Sequence, residues 1–185
     1  IFFRSSGVDP KGKTVALFPG QGAQYINLGR ELAINFPPFR EAFEKADTQV
    51  AEKGRDALTK TVYPIPVFSD EERKTQQEKL TATENAQPAI GTFSMGLLKM
   101  LRAAGFKADF FAGHSFGELT ALWAGGVMDD DAFIRLAVAR GHAMSTHSSS
   151  GKDAGSMLAV KGDLDKISEL LKENPDVQIA NINSP

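Results

Sequence analysis

A strand that breaks into a helix within five residues constrains this chain more than any other feature. Ala108 to Ala112 is a short apolar run that reads as a buried strand, and it ends directly on Gly113-His114-Ser115-Phe116-Gly117. Glu118 to Ala124 resumes helical composition, and Gly125-Gly126 ends it. Glycines flanking a serine at such a corner match the nucleophile-elbow pattern. The turn forces strained backbone angles and brings strand and helix so close that a Cβ would clash. Ser115 Oγ then stands exposed at the N-terminus of the following helix, and the Phe116 N–H points to where an oxyanion develops. The same residues also suit a tight βα turn carrying an ordinary exposed serine.

The rest of the chain fits an α/β fold around a parallel sheet. Thr14 to Phe18 is a second continuous apolar run, bounded by Gly12 and by Pro19-Gly20, and it predicts a strand buried on both faces. The loop Gly20-Gln21-Gly22-Ala23-Gln24 leads to a short helix ending near Phe36. Phe39, Ala42, Phe43, Ala46 and Val50 then recur at three- and four-residue spacing after Pro37-Pro38, the pattern of an amphipathic helix with proline in its first turn. Ser69 precedes three acidic residues as an N-cap would. A long helix begins between Thr83 and Gln87, with Ile90, Phe93, Ser94, Leu97, Leu98 and Leu101 on one stripe and Gly105 past its end. Asp129 caps a further helix running to about Met144.

These elements make residues 1–146 one unit. Residues 147–154, around Ser148-Ser149-Ser150-Gly151, read as a linker. Residues 155–185 read as a strand (Met157 to Val160), a helix with Leu164, Ile167, Leu170 and Leu171 on one face, and a strand start (Val177 to Ile182). That order is a βαβ unit cut off before its sheet is finished. With no initiator Met and a stop at Pro185 immediately after an apolar run, the chain is expected to be a piece of a longer one.

Charge and cysteine content exclude several functions. The 21 basic and 23 acidic residues leave a net charge of -2, with neither a basic face for nucleic acid nor an acidic tail. Zero cysteines remove disulfides, thiolate metal sites and a Cys nucleophile. No run of 18 apolar residues is present, and Ile1 to Gly7 is too short for a signal sequence. A soluble, cytoplasmic protein without metal, membrane or nucleic-acid partners is the expectation.

A serine acting on a carbonyl needs an oxyanion pocket and a base. The Gly20-Gln21-Gly22 loop, at the same edge of the predicted sheet as the elbow, offers the Gln21 N–H as a second donor, though a phosphate cradle or a mere turn fits the composition as well. Arg140 falls within the apolar arc of Phe133, Leu136, Ala137 and Met144, so it must meet an anion. That anion is either an internal partner such as Glu118 or a substrate carboxylate held by the planar fork. Of the three histidines, His114 adjoins the serine and supports the turn, His142 lies on a different helix face from Arg140, and His147 sits at a helix end. None is placed as a base.

Five ordered motifs resemble those of the malonyl-CoA:acyl-carrier-protein acyltransferases of fatty-acid and polyketide synthases. They are Phe18-Pro19-Gly20-Gln21-Gly22-Ala23-Gln24, Gln87-Pro88-Ala89 within Thr83 to Ala89, Gly113 to Glu118, Ala139-Arg140-Gly141, and Asn181 to Pro185. Phe116 and Leu119 to Trp123 are similar to the iterative polyketide and polyunsaturated fatty acid synthase types. The resemblance implies an α/β-hydrolase-like large subdomain and the first part of a small ferredoxin-like subdomain. It also implies that Ser115 is acylated by a CoA thioester, that the Gln21 and Phe116 N–H groups bind the oxyanion, and that Arg140 binds the malonyl carboxylate. Gln87 and His114 would line the substrate site, with no permanently bound cofactor. The acyl group would pass to the phosphopantetheine thiol of an acyl carrier protein, beside other domains of a multidomain synthase, and the His base would lie past Pro185. An esterase or thioesterase sharing the elbow, and a scaffold piece without a base, are the other readings.

Overall fold

The computed structural model describes residues 12–149 and 157–183. Strand β1 (Val15–Phe18) pairs in parallel with β2 (Phe110–Gly113), Val15 opposite Phe110 and Phe18 opposite Gly113. Between them run α1 (Arg30–Asn35), α2 (Pro37–Ala51), α3 (Leu58–Val62), α4 (Asp70–Thr81) and α5 (Thr83–Ala103). After β2 come α6 (Phe116–Ala124) and α7 (Asp130–Ser149). The α2 stripe is buried as its spacing predicts, and Ser69 with Glu72 closes a capping box at α4.

The expectation that β1 is buried on both faces is not met. Ala16, Phe18 and Phe111 pack on the core with α6 behind them, whereas Val15, Phe110 and Leu17 (76 % exposed) form an open apolar face. An apolar run states that a strand tolerates cover on both sides, and cover exists only where another layer lies opposite.

Helix α5 is the spine of this unit, packing on both α2 and α7. Its buried surface is wider than the predicted stripe, taking in Ala86, Gln87, Thr92 and Met95 while leaving Leu101 exposed. Pro88 lies inside it and has no N–H for the Glu84 carbonyl, which accepts from Arg55 Nη1 instead at 3.4 Å. In α7 the buried arc is Phe133, Ile134, Ala137, Val138 and Gly141, so Leu136 and Met144 are both exposed, a correction to the predicted face. Asp129 Oδ1 caps the helix by accepting from the Ala132 N–H at 2.7 Å. Asp130 accepts from Trp123 Nε1 and Lys99, pinning α7 to α6 and α5. Burial disfavours the Asp130 carboxylate, but these donors outweigh it and hold its pKa below the usual range.

The chain divides into two compact units at residues 152 and 153. Helix α7 runs to Ser149, so the first residues of the predicted linker are helical and its remainder lies outside the described residues. In the second unit α8 (Leu164–Lys172) is capped by Asp163 and is amphipathic as predicted. The two flanking strands are not formed. Residues 157–160 and 177–183 carry no ladder, because a strand exists only through pairing, and Met157, Leu158 and Val177 are exposed. Among the described residues no helix is long and apolar enough to cross a membrane.

Close backbone packing fixes the β2–α6 corner. A Cβ on Gly117 would stand 2.1 Å from the Phe18 carbonyl oxygen, and one on Gly113 would stand 2.0 Å from the Gly117 carbonyl. Both obstacles are main chain, which no rotamer change moves aside. Gly117→Ala is therefore expected to cost about 3 kcal/mol, or roughly 10 °C in Tm by calorimetry. An unchanged Tm would show that strand and helix separate freely at this corner.

Candidate active site

The corner delivers Ser115 in a backbone conformation that L-residues avoid, with φ 54° and ψ −113°. Such a residue costs on the order of 1–3 kcal/mol, which the Gly113–Gly117 contact and the buried Phe116 ring impose. Phe116 is wholly buried and packs on Phe133, with ring centroids 6.5 Å apart. Its side chain therefore anchors the corner while its N–H stays at the first position of α6. Ser115 and His114 are both exposed.

The glycine loop after β1 lies directly against this corner. A Cβ on Gly20 would approach the His114 carbonyl oxygen at 2.7 Å and Ser115 Cβ at 3.4 Å. Neither the Gln21 N–H nor the Phe116 N–H is spent on a backbone hydrogen bond among the described residues. Gln21 Nε2 donates to Thr83 Oγ1 at 3.1 Å, tying the loop to the start of α5. One turn along the same face of α5 is Gln87, buried to 1 % exposure, whose Oε1 accepts from Arg140 Nη1 at 2.6 Å. Close packing of Gly20 on Ser115, the Gln21–Thr83 hydrogen bond, one turn of α5 and the Gln87–Arg140 hydrogen bond therefore link Ser115 to Arg140.

The internal ion pair of Arg140 with Glu118 does not form; the guanidinium bonds to the neutral Gln87 and is half-buried. Sequence reasoning names Thr83 only as the start of a helix and of a motif, not as a site residue, although it stands four positions before Gln87. His142 is exposed, and among the described residues no hydrogen bond joins Ser115 to a histidine. The His147 side chain lies outside the described residues.

The chain that carries this exposed serine, strained elbow and glutamine-held arginine is similar to known proteins over most of its length. Residues 15–185 match the model of the acyl transferase domain. The chain belongs to that family. A polyunsaturated fatty acid synthase polypeptide of Thraustochytrium sp. is 34% identical over 191 residues, covering 100% of this chain and 7% of that protein. The malonyl CoA-acyl carrier protein transacylase of Bacillus subtilis is 34% identical over 179 residues, covering 94% of this chain and 51% of the relative. In structure, the malonyl-CoA:ACP transacylase of Synechocystis sp. PCC 6803 aligns with a TM-score of 0.75 at 31% identity, covering 94% of this chain and 53% of that one. This acyl transferase chain thus spans about half the length of the stand-alone relatives it matches.

Proposed function

We propose that the chain carries the nucleophile half of a malonyl-CoA:acyl-carrier-protein acyltransferase site. The observation that carries this reading is Ser115, exposed on a left-handed backbone with the Gly20-Gln21 loop against it. Ser115 Oγ attacks the thioester carbonyl, its proton passing to a histidine outside this chain, and the carbonyl oxygen becomes an oxyanion. The Gln21 and Phe116 N–H groups hold that charge at the positive end of α6. The C–S bond then breaks, CoA leaves as the thiol with the proton returned by the base, and a malonyl ester remains on Ser115. The phosphopantetheine thiol of the carrier protein attacks this ester and regenerates the serine by the reverse sequence.

Arg140 gives the substrate its charge requirement. A half-buried guanidinium held on one side by an uncharged amide has donors left for a carboxylate, and the free end of a malonyl group supplies one. His114, the exposed neighbour of Ser115, is assigned with it to the substrate side of the site. No permanently bound cofactor is needed, since the thioester itself is the activated donor. The name of one relative, a polyunsaturated fatty acid synthase of which this chain covers 7%, supports a setting among the domains of a multidomain synthase, and the names of the transacylases support an acyl carrier protein as acceptor.

The test is mass spectrometry of the full-length protein after exposure to malonyl-CoA, followed by addition of the carrier in its phosphopantetheinylated form. The expected result is a malonyl adduct on the Ser115 peptide that moves to the carrier. An adduct released to water as fast with the carrier as without it would favour an esterase, and no adduct at millimolar malonyl-CoA would overturn the reading.

A further inference from the structure

The Gln87 amide is held from two sides by one face of α7. Arg140 Nη1 donates to its Oε1 at 2.6 Å, and its Nε2 donates to Met144 Sδ at 3.2 Å, one helical turn further on. The orientation of the amide follows from chemistry. A guanidinium has only donors, so the amide oxygen must face Arg140, and the amide nitrogen is then turned to Met144. Gly141, between the two, lets the helices approach closely, since a Cβ there would meet the Thr83 carbonyl oxygen at 2.9 Å. Met144 is 49 % exposed, so burial alone does not account for its place.

We infer that Met144 is a positioning residue for Arg140. Its sulfur is the acceptor that keeps the buried Gln87 amide from turning, and the fixed Oε1 in turn sets the direction of the guanidinium. A thioether is a weak acceptor, yet the amide it satisfies is buried, where an unmet donor is costly. The inference rests on the reading above, in which Arg140 grips a substrate carboxylate, and adds a determinant of selectivity behind that contact.

Two substitutions in the full-length protein separate the acceptor from the packing. Met144→Leu keeps an apolar side chain and removes the acceptor. Met144→Gln has similar length and carries a carbonyl acceptor, but is polar. The expected result is a KM for malonyl-CoA raised about fivefold in M144L with kcat within twofold, a matching fall in malonyl-over-acetyl preference, and near wild-type values for M144Q. Faster solvent exchange of the Gln87 side-chain amide in M144L than in M144Q, followed by NMR, is the readout that does not depend on turnover. A packing residue would give the opposite order, with M144L normal and M144Q impaired, and that order, or equal loss in both, overturns the inference. A wild-type protein that takes no malonyl group removes the underlying reading and this inference with it. An active wild type with the wrong order removes this inference alone.

Discussion

Ser115→Ala is expected to abolish the malonyl adduct and to lower carrier malonylation by about 10³-fold or more, on the order seen when a covalent nucleophile is removed. The substitution isolates the hydroxyl, because alanine at φ 54° bears the same backbone strain as serine. Ser115→Gly separates the two properties. Glycine occupies this region without penalty, so S115G should be as inactive as S115A and yet more stable, by about 1 kcal/mol in urea denaturation. Strain retained at a residue whose hydroxyl is proposed to do the chemistry is the expected trade between stability and activity. If S115A still accumulated adduct, the nucleophile would lie elsewhere. If S115G gained no stability, the backbone conformation would not be costly and the elbow would be an ordinary turn.

The parts of this site that are legible in the sequence are those fixed by neighbours in the chain. At Gly113 the corner is local, since the clash that demands glycine is with backbone four residues on; Gly117, whose clash is with the distant Phe18 carbonyl, is legible only through the elbow motif. The α2 stripe and the Ser69–Glu72 capping box are local too. What escapes depends on distant partners. Gln87 and Arg140 are 53 positions apart, so the helical phase marks the arginine as unusual but does not distinguish a glutamine partner from Glu118. Nothing in the periodicity marks Thr83 as the partner of Gln21, 62 positions away. The arc of α7 is misphased at Leu136 because apolar residues flank most of its circumference, leaving little contrast to fix the phase. The extended segments of the second unit show the same limit: β-rich composition makes a strand only where a second strand lies alongside.

Removing the charge at position 140 should change what the site selects more than how fast it reacts. In Arg140→Ala the oxyanion donors and Ser115 are untouched, so acetyl transfer is expected to stay within about threefold of its wild-type rate. Malonyl transfer loses charge-assisted hydrogen bonds worth about 3 kcal/mol together, which at about 1.4 kcal/mol per decade is roughly a 10²-fold fall in kcat/KM. The fall should be modest beside that of a fully buried pocket, because Arg140 is half-buried and water can replace part of what it offers. Arg140→Lys is the sharper variant. It keeps the charge but replaces the planar fork, which meets Gln87 Oε1 on one side and in the proposed reading a carboxylate on the other, by a single ammonium that cannot hold both in one plane. Lysine is therefore expected to recover about a tenth of wild-type malonyl transfer and to leave discrimination against acetyl incomplete. Equal losses on the two acyl groups in R140A would mean that the arginine supports α5 and α7 rather than the substrate. In that case the Gln87 contact, not a malonyl carboxylate, would be the reason an inward-facing cation is found on this helix.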